Sequence, residues 1–286
     1  MSNTLENVKK VLSNSFESLP RANSTSPLSY GSAQSRSPSP LLSDSSPVLI
    51  ITAGYDHTIR FWDVLQGTCL ATLQHNESQV NSLTISPDKK FLAVSGNPNV
   101  RIFDIEETLA TSALASTTSP DFSASTANIQ AKNIIQSHAG NVTSAGFPAS
   151  GHWMFTASSD GIIRIWDFPG LKCQKEFLNK AAINKAVLHP NQAEIIIADE
   201  SGYIRVLDLL KGTFTVDMIP EDNVPVTCIA ISDDGEFLAA VNENGNLYTW
   251  TCKSNQTASS GFTPLQKVKS VHKPYATKCL FSPNSK

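Results

Sequence analysis

The sequence predicts an all-β protein in which units of four short strands repeat about every 41 residues from residue 48 onward, as in a β-propeller. One observation is a strand-like run that recurs with its last residue at positions 63, 104, 167, 208 and 251. Another is the fixed order of the surrounding apolar runs and turns in each unit. After residue 48, no stretch has the length and periodicity that predict a helix, which disfavours an α/β enzyme fold.

The recurring run supplies the third strand of each unit. It reads TIRFWD (58–63), NVRIFD (99–104), IIRIWD (162–167), YIRVLD (203–208) and NLYTWT (246–251). The steps between run ends are 41, 63, 41 and 43, and the long step contains the Ser/Thr-rich stretch 106–131. The remaining strands are predicted from runs such as VTSAGFP (142–148), WMFTAS (153–158) and CQKEFL (173–178). We expect five four-stranded units over 48–286 and a lone strand at 276–282.

The segments outside the repeat have a different composition. Residues 21–47 contain ten serines and four prolines, so we expect the tail 1–47 to be disordered. Apolar residues at 5, 8, 12, 16 and 19 predict a short amphipathic helix, transient or docking, within it. Ten of the 26 residues at 106–131 are Ser or Thr, which predicts a mobile low-complexity loop. Four serines precede proline and are either phosphorylation sites or products of composition: Ser26, Ser37, Ser39 and Ser46.

These repeats resemble the WD40 family. The segments AGYDHTIRFWD (53–63), HPNQAEIIIADESGYI (189–204) and AAVNENGNLYTW (239–250) are similar to the G-beta-like WD40 subunit of target-of-rapamycin (TOR) kinase complexes. The resemblance runs from about 48 to 286. It implies seven blades in a complete member, about five of them here, so we expect a C-terminally truncated copy. The 47-residue tail and the long stretch 106–131 depart from the family pattern.

The resemblance also implies a buried hydrogen-bonded set of His, Ser or Thr, Asp and Trp within a blade. The third blade fits this pattern with His138, Ser158, Asp160 and Trp166. Asp56 and Trp62 have the same six-residue spacing in the first blade. A hydrolytic triad of Ser158, His138 and Asp160 is the alternative. It is disfavoured because no G-x-S-x-G elbow is present and the trio is a repeat element.

Several function classes are disfavoured by composition and by missing motifs. The net charge of −3 does not favour nucleic-acid binding, and the apolar runs fall well short of a membrane span. The five cysteines form no CxxC pair, and the six histidines have no zinc-site spacing. Phosphate-binding glycine motifs are missing. We therefore expect no cofactor, no metal, no small-molecule substrate and no direct membrane insertion. We also expect a cytoplasmic location, with endomembranes reached only through a complex.

Protein partners remain as the predicted ligands. Propellers bind partners with the turns at the ends of their channel. The candidates on one such face are Tyr55, His57, Gln79, Asn97, Asn99, Ser159, Glu200 and Asn244. The resemblance implies a non-catalytic scaffold subunit that binds the TOR kinase domain and stabilises it. The alternative is a WD40 adaptor of another complex, such as a ubiquitin-ligase receptor for phosphopeptides, which an Arg/Lys cluster facing the channel would favour.

Overall fold

The computed structural model describes residues 7–10, 48–75, 78–118, 129–136, 138–254, 260–273 and 275–283. These residues form five four-stranded antiparallel sheets and one α-helix. In each sheet the four strands lie side by side in chain order. The inner strands of neighbouring sheets contact one another. The prediction of an all-β, propeller-type architecture is therefore confirmed, and the sheets are called blades one to five.

The strand bounds agree with the predicted order of runs. Blade one contains β1 (Asn7–Lys10), β2 (Leu49–Ala53), β3 (Thr58–Asp63) and β4 (Thr68–Gln74). Blade two contains β5 (Ser82–Ile85), β6 (Phe91–Ser95), β7 (Asn99–Asp104) and β8 (Asn133–Gln136), with α1 (Ile105–Thr118) between the last two. Blade three contains β9 (Val142–Gly146), β10 (Trp153–Ser158), β11 (Ile162–Asp167) and β12 (Cys173–Leu178).

The last two blades follow the same plan. Blade four contains β13 (Ile183–Leu188), β14 (Glu194–Asp199), β15 (Ile204–Asp208) and β16 (Thr213–Met218). Blade five contains β17 (Val226–Ile231), β18 (Phe237–Asn242), β19 (Leu247–Ser254) and β20 (Ser260–Val268).

The second strand of a blade is buried on both faces, which explains why its sequence is apolar without alternation. In β14, Ile195 and Ile197 belong to the same apolar cluster as Phe155 of blade three. Ile196, which lies between them, belongs to a cluster with Leu238 of blade five. Successive side chains of a strand point to opposite faces, so β14 packs between its two neighbours. The core therefore lies between the blades.

Side-chain hydrogen bonds also join neighbouring inner strands. In each case, one polar residue donates to the backbone carbonyl of the residue just before its counterpart in the next blade. The pairs are Asn81 Nδ2 to Val142 (3.1 Å), Thr143 Oγ1 to Ile183 (2.9 Å), Asn184 Nδ2 to Val226 (3.1 Å) and Thr227 Oγ1 to Ala276 (2.6 Å). This series, called the inter-blade ladder, fixes the relative height of the inner strands.

The inner strand of blade one comes from the N-terminal tail. Residues 7–10 pair antiparallel with β2, from Asn7 opposite Ala53 to Lys10 opposite Ile50. For these residues, the expectations of a disordered tail and of an amphipathic helix are wrong. The physical reason is that β2 presents an unpaired edge, whose backbone groups favour an added strand over a helix with no partner. The rest of the tail, 11–47, lies outside the described residues.

Residues 105–118 are a helix, so the expectation of a loop over the whole of 106–131 is wrong, as is the expectation of no long helix. Asp104 begins the helix, because its Oδ1 accepts the backbone N–H of Glu107 at 3.2 Å. Acidic Glu106 and Glu107 occupy the first turn, where the helix dipole favours negative charge. Ser112 then donates to the carbonyl of Leu70 in β4 at 2.7 Å. The helix is thereby attached to the outer strand of blade one.

The segment 276–282 is not a strand, which corrects the expectation of a lone sixth-blade strand. It nevertheless lies along blade five, where Ala276 is the last acceptor of the inter-blade ladder. Ala276 and Cys279 pack with Cys228 and Val241 in an apolar cluster. The alternating sequence therefore places this segment in the position of an inner strand without strand geometry.

Candidate functional site

The turns between the second and third strands of the blades form one end of the molecule, here called the upper face. Three of these turns contain a glycine with positive φ, at Gly161 (80°), Gly202 (87°) and Gly245 (72°). A Cβ at Gly161 would lie 3.1 Å from the carbonyl oxygen of Asn179, so a side chain is disfavoured there as well as strained. In blade one the equivalent position is His57, with φ of 60°.

His57 is thus a structural residue as much as a surface one. Its Nδ1 lies 3.0 Å from the carbonyl oxygen of Ser78, and its own carbonyl accepts the backbone N–H of His75 at 2.7 Å. Neighbouring Asp56 accepts from the backbone N–H and hydroxyl of Thr58 at 3.1 and 2.7 Å. These bonds hold the turn that presents Tyr55, which is 54% exposed.

The predicted hydrogen-bonded set of blade three is present with one change. His138 Nδ1 lies 2.9 Å from Asp160 Oδ2, and His138 Nε2 lies 2.7 Å from Thr156 Oγ1. Trp166 Nε1 donates to the same Thr156 oxygen at 3.0 Å. A neutral imidazole can bond to Thr156 through Nε2, and its Nδ1 faces both the Asp160 carboxylate and Arg164 Nη1, which lies 2.9 Å away. Burial lowers the pKa of His138, against the opposing effect of Asp160, which favours that neutral form.

Thr156 therefore takes the place that sequence analysis gave to Ser158. The Ser158 hydroxyl accepts the backbone N–H of Asp160 at 3.2 Å and stays inside the turn. Blade one repeats the threonine contact, since Trp62 Nε1 donates to Thr52 Oγ1 at 2.8 Å. The signal available in the sequence was the ten-residue spacing from Thr to Trp in both blades.

Asp56 is not joined to Trp62, which corrects the expected pairing in blade one. The carboxylate instead makes a salt bridge with Arg60 at 3.0 Å, and both side chains are about half exposed. Burial raises the pKa of Asp56, but the Thr58 hydrogen bonds and the Arg60 charge outweigh it and keep that pKa below its usual value.

Blade four replaces the histidine set with a buried ion pair. Arg205 Nη1 donates to Asp199 Oδ2 at 2.9 Å, and Asn179 Nδ2 donates to the same oxygen at 3.0 Å. Asp199 has no exposed surface, and its second oxygen accepts the backbone N–H groups of Ser201 and Tyr203, both at 3.0 Å. A buried carboxylate is stable only when it is satisfied in this way.

Blade five has a third solution, centred on Glu221. Its carboxylate accepts from the Tyr248 hydroxyl at 2.6 Å and from Nδ2 of Asn246 and Asn242 at 2.8 and 3.0 Å. The Tyr248 hydrogen bond, followed by that of Asn246, lowers the pKa of Glu221 to about 2. Sequence analysis missed this residue, because a glutamate in a turn carries no repeat signal.

The structure places most predicted partner-binding residues on the upper face. Six of the eight are exposed: Tyr55, Gln79, Asn97, Ser159, Glu200 and Asn244. Two of these also make contacts that fix their turns, since Glu200 accepts from Asn184 at 2.9 Å and Asn244 donates to Glu221 at 3.3 Å. His57 is half-buried. Asn99 is only 8% exposed within β7, which removes it from the candidates, because a partner has no access to it.

The four candidate phosphorylation sites, Ser26, Ser37, Ser39 and Ser46, lie outside the described residues. In the described ranges, no group of three or more His, Cys, Asp and Glu side chains is arranged to hold a metal ion. The described residues also contain no helix that is both long enough and apolar enough to cross a membrane.

Repeats, four-stranded blades and the Trp-centred sets define a WD40-repeat protein. The model of the family described as "WD domain, G-beta repeat" matches residues 41–63, 67–104, 130–167 and 215–251. "Target of rapamycin complex subunit wat1" of Schizosaccharomyces pombe is 40% identical over 239 residues, or 84% of this chain and 69% of the relative.

Two further relatives carry the name "Target of rapamycin complex subunit LST8". The protein of Saccharomyces cerevisiae is 40% identical over 239 residues, which cover 84% of this chain and 72% of the relative. The protein of Bos taurus is 39% identical over 250 residues, which cover 84% and 68%. The chain belongs to this LST8 and wat1 family of WD40 proteins, and the resemblance seen in the sequence is confirmed.

Proposed function

We propose that the chain is a non-catalytic WD40 subunit of a TOR kinase complex, where it binds the kinase domain and stabilises its active form. The observation that carries the proposal is the similarity to relatives named as TOR complex subunits, at 38–40% identity over 84% of the chain in yeasts, mammals and a plant. Identity at this level over the blades supports a shared binding surface as well as a shared fold.

The upper face is the proposed contact surface for the kinase domain. Tyr55 is its best anchor, because an exposed aromatic ring on a turn fixed by hydrogen bonds loses little entropy on binding. The same face also presents the exposed polar residues Gln79, Asn97, Ser159, Glu200 and Asn244, and an interface commonly has such a polar rim.

A scaffold role is also supported by the chemistry of the buried sets. In blade three the histidine is bonded to Thr156 and Asp160, while the Ser158 hydroxyl is bonded to a backbone N–H. A nucleophile must be hydrogen-bonded to its base and accessible to a substrate. Ser158 meets neither requirement, since its contact is to the backbone and it has no exposed surface.

Co-purification with the kinase tests the proposal. The full chain and its Tyr55→Ala variant would be expressed with a TOR kinase domain, and the bound kinase measured per mole of chain. We expect the parent to retain the kinase and Tyr55→Ala to lose at least about tenfold in affinity, the usual effect of a hot-spot residue. Leu65→Ala is the matched control, because Leu65 is 77% exposed in the β3–β4 turn at the opposite end.

Two outcomes would overturn different parts of this proposal. A parent chain that does not retain the kinase would reject the TOR assignment. Loss of binding in Leu65→Ala with normal binding in Tyr55→Ala would leave the TOR assignment in place. It would show that the kinase contacts the β3–β4 end of the molecule and not the upper face.

The alternative of a phosphopeptide-reading adaptor is favoured by one observation, two lysines at the central cavity. Lys185 and Lys278 line this cavity, but the repeated arginines do not. Arg164 and Arg205 instead pair with Glu176 and Asp217 on the outer strands, at 2.8 and 3.1 Å. The cavity is therefore a candidate binding site separate from the upper face.

A further inference from the structure

The inner strands and the segment 275–283 enclose a polar cavity of about 140 Å³ at the centre of the molecule. The polar residues Asn81, Thr143, Asn184 and Thr277 contribute to its lining. The first three are donors of the inter-blade ladder, so their positions are fixed by bonds to neighbouring strands. Thr277 occupies the equivalent position in the segment 275–283. The cavity is thus a preorganised polar site and not a gap between mobile loops.

The described lining residues of this cavity include two ammonium groups and no carboxylate. Lys185 and Lys278 line the cavity, and no acidic residue of the described chain does so. Lys278 is exposed, and Lys185 is half-buried. Burial, and then the charge of Lys278, lowers the pKa of Lys185 and outweighs the opposing effect of Cys228. Two ammonium groups with no described carboxylate beside them in a polar cavity favour an anion.

We propose that this cavity binds a small tetrahedral oxyanion of the phosphate class between Lys185 and Lys278. The two lysines supply the charge and the hydrogen-bond donors, because the side-chain N–H and O–H groups of Asn81, Thr143 and Asn184 already donate to protein acceptors. Charge-assisted hydrogen bonds of this kind are roughly twice as strong as neutral ones. A doubly charged oxyanion matches the two ammonium groups. The proposal does not depend on the TOR assignment, because it concerns the isolated chain.

Cys228 is the competing counter-ion for Lys185. Hydrogen bonding to Cys279, followed by the charges of Lys185 and Lys278, lowers the pKa of Cys228. The Cys228 side chain is only 3% exposed and packs with Val241 and Ala276, so its thiolate has few hydrogen-bond donors to stabilise it. An oxyanion has several oxygens that can each accept a hydrogen bond from an ammonium group, whereas a thiolate has one acceptor atom.

Thermal unfolding of the full chain tests the site, with sodium phosphate compared against sodium chloride at equal ionic strength. We expect a saturable rise in Tm with phosphate for the parent. Lys185→Met keeps the aliphatic stem and removes the charge, and we expect the half-saturating phosphate concentration to rise at least about tenfold. Lys172→Met is the matched control, because Lys172 is exposed and does not line the cavity; it should respond like the parent.

The variant Lys278→Gln gives a second measurement of the phosphate response. The Lys278 side chain is exposed, so it can be replaced without loss of folding. We expect it to weaken the phosphate response in the same direction. An absent saturable response in the parent, or an unchanged response in both Lys185→Met and Lys278→Gln, would overturn the proposal.

O-phosphoserine distinguishes the two sources of the anion. A response to inorganic phosphate alone would assign the site to the free ion. A response to O-phosphoserine at equal or lower concentration would assign it to a phosphorylated side chain. Either result supports an oxyanion site, provided that Lys185→Met weakens that response at least about tenfold.

Discussion

At the scale of single residues, one threonine accepts the indole N–H of the tryptophan in blades one and three. Thr156 stands ten residues before Trp166 and accepts its indole N–H. In blade four the same two positions are Ile197 and Leu207, both fully buried. In blade four, apolar residues thus replace both the threonine and the tryptophan. The sequence predicted the histidine, aspartate and tryptophan correctly, but Thr156 and Ser158 lie on the same face of β10 and only the distances distinguish them.

Thr156→Val should destabilise the fold, because valine has the same shape but cannot bond to His138 Nε2 or Trp166 Nε1. A buried polar group left without a partner costs about 1–3 kcal/mol, and this variant leaves two. Urea unfolding would measure the change in free energy. Thr213→Val is the control, since Thr213 is exposed on β16, and it should change stability by less than about 0.5 kcal/mol. Equal stability of the two variants would contradict the bridging role.

Glu221 should contribute an acid-sensitive part of the stability. Its pKa is lowered to about 2 from a usual value of 4.5, so its contribution is complete above pH 4.5 and is lost as pH falls toward 2. Glu221→Gln should therefore reduce stability at neutral pH and flatten the pH dependence between those values. Unfolding curves measured across this range test it. Glu243→Gln, an exposed neighbour in the same blade, should leave the pH dependence unchanged, and a parallel change there would refute the assignment.

At the scale of elements, strands that carry their own apolar pattern were predictable, and the two elements that depend on context were not. The tetrapeptide NVKK of β1 has no strand pattern in its sequence. It forms a strand because it pairs with the open edge of β2. In α1, the Ser and Thr content favoured a loop. The helix depends instead on the Asp104 cap, on acidic residues in its first turn and on docking against β4.

Asp104→Ala should loosen the start of α1 and cost about 0.5–2 kcal/mol, the usual effect of losing an N-cap. Asp104→Asn is the matched variant. It keeps the cap to the Glu107 N–H but loses the 3.0 Å salt bridge to Lys132, a partly exposed pair that contributes little. Hydrogen exchange at residues 105–108 should therefore rise strongly in the alanine variant and slightly in the asparagine variant. Similar exchange in both would show that the charge matters more than the cap.

At the scale of the whole molecule, the inner strands act as one unit. The inter-blade ladder runs from Asn81 to Ala276, and each step uses a side chain on one blade and a backbone carbonyl on the next. The residue types that carry it, Asn or Thr, are ordinary in sequence, so the ladder could not be predicted. It becomes recognisable only when the blades are aligned in space. It also explains why 275–283 keeps its place without strand pairing.

Deletion of residues 1–10 tests the part of this unit that comes from the tail. Without β1, the backbone groups of Ile50, Ile51 and Thr52 would lose their inner partner, and an unpaired strand edge is a template for association with other chains. We expect a lower Tm and a larger associated fraction in size-exclusion chromatography. Deletion of residues 21–30 is the matched control, since it removes the same length of tail and keeps β1. Because the sequence around β1 predicts a helix, the pairing with β2 must stabilise the strand more than the local sequence favours the helix. If the deletion of 1–10 behaves like the control, the pairing of β1 with β2 does not contribute to stability.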